Sequence, residues 1–337
     1  MIDFRYHLVS LISVFLALAV GIVLGAGPLQ DSLGDQLSGQ VEQLRTEQEN
    51  LRSQVEDLEG QNDQLASLVT EIGPEVVAGT LEDSTVAVIT DDASTGTAVD
   101  TTTSLLQDAG AATVVEVELQ RALWAPDRAS TRADALEEIA AIAPAVLDPE
   151  LEDHEQLAAV VVDLLAPASA SGLDENLRGQ IWQVLIEHQL VSTEGDIPVS
   201  VDALIYAAAE PERFAVATDD DATATERAQQ QLAAQTALLE ELAGTGMPAV
   251  VAGVTPDNDG TTGLLRTVRG DGRFGELSST DRLQEPDGPL LAVLALIEQD
   301  RGGSGAYGTT SDAESRLPSL PETQASAPAA SDGGEQG

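Results

Sequence analysis

Three hydrophobic rhythms follow one another along the chain, and each predicts a different element. From Leu8 to Gly27 the run LVSLISVFLALAVGIVLGAG holds no charged side chain. Roughly 20 such residues in a helix cross a hydrocarbon core, so residues 1–30 are expected to form an N-terminal membrane anchor. A cleaved signal sequence is the competing reading. Against it stand the pairing of Arg5 with Asp3 and the Pro28 that follows the small-residue exit Gly25-Ala26-Gly27. Ser13, Ala17, Gly21 and Gly25 recur at every fourth position, a spacing that lets two membrane helices approach closely. With Arg5 as the nearest basic residue on one side of the span and Arg45 on the other, the positive-inside rule puts the N-terminus in the cytoplasm.

The second rhythm has a period of seven. Leu37, Leu44, Leu51, Leu58, Leu65 and Ile72 fall on one seam, with Val41, Gln48, Val55, Asn62 and Val69 four residues after each of the first five. The leucines take position d and the second set position a, which predicts a coiled-coil stalk over residues 31–73 that pairs as a parallel homodimer. Gly21 and Gly25 in the span, and Leu44, Leu51, Val55, Leu58, Asn62 and Leu65 in the stalk, are the expected dimer seam. Asn62 would set register, and Glu47 at g faces Arg52 at e of a second copy. A single amphipathic helix lying on the domain that follows is the other reading of the same pattern. Gly73-Pro74 is expected to end the helix.

The third rhythm alternates short β-branched runs with helical stretches. Thr85–Thr90, residues 113–117, residues 159–162, residues 203–207 and residues 249–254 are expected strands. Residues near 97–109, 131–142, 176–190, 226–243 and 289–299 are expected helices. Apolar strands interleaved with helices predict a mostly parallel α/β sandwich domain over residues 75–308, outside the membrane. The fold class is therefore α/β, with a transmembrane helix and a coiled-coil helix ahead of it. From Ser311 to Gly337 the acidic Pro/Ala/Ser-rich composition predicts a disordered tail.

Charge narrows the function. Acidic residues number 58 against 15 basic, for a formal charge of -43, so phosphate-rich nucleic acid is excluded as a partner. Every basic residue is Arg, which excludes P-loop, kinase and Schiff-base lysine chemistry, and the absence of Cys excludes thiolate sites. Asp91-Asp92 closes the first strand, where open α/β sheets bind ligands. With His154 and His188 these are the candidate metal ligands; the ordinary alternative is solvated acids and surface histidines. Asp219-Asp220-Asp221 and Asp257-Asn258-Asp259-Gly260 are further acidic turns without EF-hand spacing. Gly270 to Gly275 matches GxGxxG, but no strand precedes it and no apolar helix follows, so it is read as a loop.

The opening MIDFRYHLVSLISVFLALAVGIVLGAGPLQ, followed by the leucine heptads and the α/β region, closely resembles the mycobacterial copper transport protein B family, called MctB, along roughly residues 1 to 308. The resemblance implies an actinobacterial envelope protein of copper homeostasis that lowers intracellular copper, and channels in the outer membrane. Soft ligands suit copper(I), and beyond Met1 the chain offers only Met247. Copper is therefore expected as a handled ion rather than a tightly bound cofactor. Aromatic residues make up 3% of the chain, too few for the girdles of a membrane barrel. The expected function is non-enzymatic copper handling by a membrane-anchored dimer working with an envelope partner. The alternatives are a dimeric envelope scaffold with no metal role and an enzyme acting on cell-wall material.

Overall fold

A computed structural model describes residues 4–167, 171–194, 200–210, 221–255 and 263–320. The chain divides into two units, Met1–Leu65 and Ala66–Gly337. The described residues of the first lie within helix α1 (Phe4–Val77), which is 74 residues long. Its stretch Arg5–Val23, 19 residues with a mean hydropathy of 2.3, is long and apolar enough to cross a membrane, and none of it is buried. Further along, Leu44, Leu51, Leu58 and Leu65 are 57–64% exposed, so the expected seam lies bare along the helix. Within one chain Arg52 Nε sits 3.5 Å from Glu56 Oε1, one turn on.

The helix does not stop at Gly73-Pro74 as expected. It runs to Val77 because its last turn belongs to the core of the second unit: Val77 is fully buried and Val76 packs beside it. Gly73 eases this approach, since a Cβ there would lie 3.2 Å from a Leu105 methyl. Pro74 removes one donor near the helix end, a loss that the docked valines offset.

The second unit is a seven-stranded sheet in the order β3-β2-β1-β4-β5-β6-β7. The strands are β1 (Thr85–Thr90), β2 (Thr113–Leu119), β3 (Val191–Glu194), β4 (Ala203–Ala208), β5 (Ala249–Gly253), β6 (Ser278–Thr280) and β7 (Ala306–Tyr307). All neighbours are parallel except β3, which runs antiparallel along β2. Alternation along the strands divides the core. Val86, Val88, Ile205 and Val250 face α2 (Gly96–Asp108), α8 (Gly288–Asp300) and the end of α1. Ala87, Ile89, Val117, Tyr206 and Val251 face the other layer, made of α3 (Ala129–Ile142), α4 (Asp153–Leu165), α5 (Glu175–Glu187), α6 (Asp221–Thr245) and α7 (Leu264–Gly270). A sheet covered on both faces needs apolar side chains at every strand position, as β4 and β5 have.

Residues 159–162, expected as a strand, lie inside α4. Glu152 and Glu155 form a reciprocal capping box at its start, and the helix packs against α3, α5 and α6 as well as the core. A helix enclosed all round becomes apolar all round, so its Ala-Val-Val-Val run loses the period that marks a helix.

The chain also stays ordered past Ser311. Asp281, fully buried, accepts from Thr309 N (2.9 Å), Thr310 N (3.1 Å) and Thr310 Oγ1 (2.8 Å). Arg269 donates to Tyr307 O (2.8 Å) and Asp312 Oδ1 (3.0 Å), and Ser319 N donates to Glu298 (3.2 Å). Gly308 (φ +136°) lies so close that a Cβ would overlap the Asp281 carboxylate. Residues 311–320 are thus strapped to the domain by polar groups, which apolar content alone does not reveal. The rest of the expected tail, 321–337, lies outside the described residues.

Arg178 shows what fixes α4. Its buried guanidinium donates to the carbonyls of Asp163 (3.0 Å), Leu164 and Ala166 (3.0 Å) and to Ser171 Oγ (2.9 Å), satisfying acceptors at the helix end. We expect Arg178→Ala to lower the unfolding free energy by about 3 kcal/mol, because several buried carbonyls lose their donor at once. Arg178→Lys, a point charge without the fork, should fall between the two. Denaturant titration of the full chain checks this, and an Arg178→Ala midpoint equal to that of the native protein would contradict it.

Candidate functional site

The strand order reverses at β1. The chain leaves it for β2 on one side and returns on the other as β4, and in open α/β sheets ligands bind in the crevice outside the carboxyl ends at such a reversal. Asp91 directly follows β1 at this point. Only 4% exposed, it is gripped from β4 and α6. Tyr206 Oη donates to Asp91 Oδ2 (2.5 Å), Ala209 N donates to Oδ1 (2.9 Å), and Gln235 Nε2 donates to Oδ2 (2.7 Å). Gln235 also donates to Ala209 O (3.0 Å), and Gln231 Nε2 lies 3.4 Å from the carboxylate.

Burial pushes the Asp91 carboxyl above its ordinary 3.8, while the bonds from Tyr206, Ala209 and Gln235 act the other way. Burial and the neighbouring Asp91 push the Tyr206 phenol well above its ordinary range, so it stays neutral and donates. Beside this network is a cavity of about 20 Å³ lined by Trp124, His154, Tyr206 and Gln235 among others. That is room for about one water and for no substrate. Asp91 accordingly acts as a pin that ties β1 to β4 and α6.

The four candidate metal ligands lie in different surroundings. Asp92 accepts from Ser94 N (2.9 Å) and lines an open cleft of about 480 Å³. Asp100, Glu116, Glu118 and Glu194 line the same cleft, with Glu116 directly across from Glu194 on the antiparallel pair. His154 lies 3.6 Å from Glu152 and borders the small cavity. His188 lies 3.2 Å from Glu138 and borders a separate, larger cleft beyond β2. Among the described residues, no group of three or more His, Cys, Asp or Glu side chains is placed to hold a metal ion. Met247 is buried in the apolar core. Asp219, Asp220 and residues 257–260 lie outside the described residues.

Gly270 ends α7, and Asp271 then caps a short 3-10 turn that buries Phe274, so the GxGxxG letters build no strand–turn–helix. The Gln231 and Gln235 partners of Asp91 escaped the sequence reading. Their signal is two amides on the stripe Gln231, Ala234, Gln235, Leu238 and Leu242 of α6, where apolar residues are the rule.

The fold and site together define a class: a doubly wound α/β domain carried on a long helix with one apolar stretch of membrane-spanning length. Within that class, the chain belongs to the family described as Copper transport outer membrane protein, MctB, whose model matches residues 1–318. The match takes in the strap as well as the sheet. No curated protein matches the chain.

A raised carboxyl pKa means that the folded state holds its proton more tightly than the unfolded state. The stabilisation from Asp91 is therefore fully present below pH 3.8 and is lost as pH rises through the folded value. Asp91→Asn, which keeps the shape without the charge, should gain stability relative to the native protein across that rise. Thermal melts of both proteins over a pH series check this; a pH-independent difference would contradict it.

Proposed function

We propose that this chain is a single-pass envelope protein that limits intracellular copper without catalysis, its N-terminus cytoplasmic and its α/β domain outside. Membership of the copper transport family over residues 1–318 is the observation that carries this reading, and the apolar stretch Arg5–Val23 supports the anchor. Two copies pair along the stalk through Leu44, Leu51, Val55, Leu58, Asn62 and Leu65, and in the span through Gly21 and Gly25. That arrangement covers the bare leucines of α1.

Copper is cargo in this account. An excess of 58 acids over 15 arginines draws cations toward the domain, and carboxylates such as those around Asp92 offer weak, exchangeable oxygen ligands. Weak capture suits a protein that passes an ion onward to an envelope partner. A closed membrane barrel is a poor fit, because the seven described strands form an open sheet buried under helices. The second reading, an envelope scaffold with no metal role, is favoured by the stalk seam alone.

A deletion strain in raised copper separates the two. We expect cell-associated copper to rise on deletion and to fall only when the full chain is restored, not a chain lacking residues 75–310. Unchanged copper would leave the scaffold reading. Orientation has its own check, since the chain has no cysteine. Ser104→Cys, on an exposed position of α2, should react with an impermeant thiol reagent in intact cells, and labelling only after lysis would overturn the outward domain.

A further inference from the structure

The larger cleft beyond β2 has a chemistry that the copper reading does not use. It is open, about 1020 Å³, and lies where Gln120 and Arg121 leave the carboxyl end of β2, with Arg128 and Thr131 from the start of α3, His188 and Gln189 after α5, Ser192 on β3 and Arg227 on α6. Three of the chain's 15 basic residues therefore share one cleft in a protein with 58 acids, and only Asp127 and Glu187 oppose them among its lining residues.

We propose that this cleft binds a small polyanionic organic ligand, carrying phosphate or several carboxylate groups, held by Arg121 and Arg128. The gathering of basic residues in one cleft of an acidic domain carries the argument, and Arg121 and Arg128, like Arg301, are not spent on a partner elsewhere. Arg269, Arg273 and Arg282 each hold a carboxylate, and Arg132 and Arg178 are spent on backbone carbonyls. Arg121 and Arg128 make no ion pair or side-chain hydrogen bond among the described residues, although acids outnumber basic residues almost fourfold. A guanidinium presents a planar fork that matches phosphate and carboxylate oxygens.

Helix α3 begins beside the cleft, but the 3-10 turn Pro126–Arg128 runs directly into it and Ala129 N already donates to Pro126 O, so the arginines rather than the helix start would hold the ligand. Gln120 and Ser192, themselves 3.2 Å apart, supply neutral polar groups. The volume reaches the upper end of small-molecule sites, which sets the expected ligand above a bare inorganic ion. The overall charge of -43 repels anions from a distance, but screening acts over about 8 Å at physiological ionic strength, so the nearby guanidiniums decide the local sign.

The test is calorimetric titration of the full chain in detergent micelles, without metal, using pyrophosphate and citrate as probes. Saturable binding of at least one probe is expected, with a Kd below about 1 mM. Arg121→Gln with Arg128→Gln should weaken it at least tenfold at an unchanged melting temperature, both side chains being exposed. Arg301→Gln, an exposed arginine elsewhere, should leave it unaltered. Preference for pyrophosphate identifies a phosphorylated ligand, and preference for citrate a polycarboxylate. No saturable heat with either probe, or equal affinity in the double variant, overturns the proposal. Since no copper is present, this outcome is independent of the copper reading.

Discussion

Bare apolar surface on one helix is the constraint from which the rest follows. Water does not tolerate 19 residues of mean hydropathy 2.3 on an unburied helix, nor a row of leucines each more than half exposed. The two stretches call for different cover. The first is apolar around its circumference and of bilayer length, which suits lipid. The second is a single stripe with charged residues elsewhere, which suits another helix of the same kind. Burying the remaining exposed part of each leucine would contribute on the order of 1 kcal/mol per side chain, so the seam as a whole is worth several times the effect of one residue.

Within the α/β unit the equivalent constraint is polar. Parallel strands covered on both faces leave little place for ionisable groups, and among the described residues several of the buried ones serve as fasteners. Asp91 joins β1 to β4 and α6, Asp281 and Arg269 tie the strap to β6 and β7, and Arg178 closes the end of α4. Each is surrounded by fixed hydrogen-bonding partners, which makes it costly to remove and poorly suited to capturing a mobile ion. Chemistry open to solvent lies instead in the two clefts flanking the end of β2, one lined by carboxylates and the other by arginines. Asp92, Asp100, Glu116, Glu118 and Glu194 line the first, and Arg121, Arg128 and Arg227 the second.

The legible parts of the fold were those in which pattern and environment agree. The N-terminal helix, β1, β4 and β5 are long or uniform enough for periodicity to name them, and the family resemblance holds over residues 1–318. Segments whose surroundings override the pattern were lost. The Ala-Val-Val-Val run of α4 lost its period by being enclosed, and β6, Ser-Ser-Thr, and the two-residue β7 carry too few apolar residues to register. The strap was hidden because its hold comes from one buried aspartate and one arginine far away in sequence. Of the candidate site, the position of Asp91 at a strand end was readable, but its role as a pin depended on Tyr206, Gln231 and Gln235 arriving from distant elements.

The most direct test of the account is cysteine cross-linking in membranes, for which the cysteine-free chain gives no background. Single substitutions Leu51→Cys and Val55→Cys place a thiol on the seam, whereas Ser53→Cys places it on the opposite face of the same turn. The account requires rapid disulfide-linked dimers for the first two and little for the third. Equal cross-linking at all three positions, or none at any, would contradict a parallel pair of α1 helices, and with it the arrangement on which the envelope role rests.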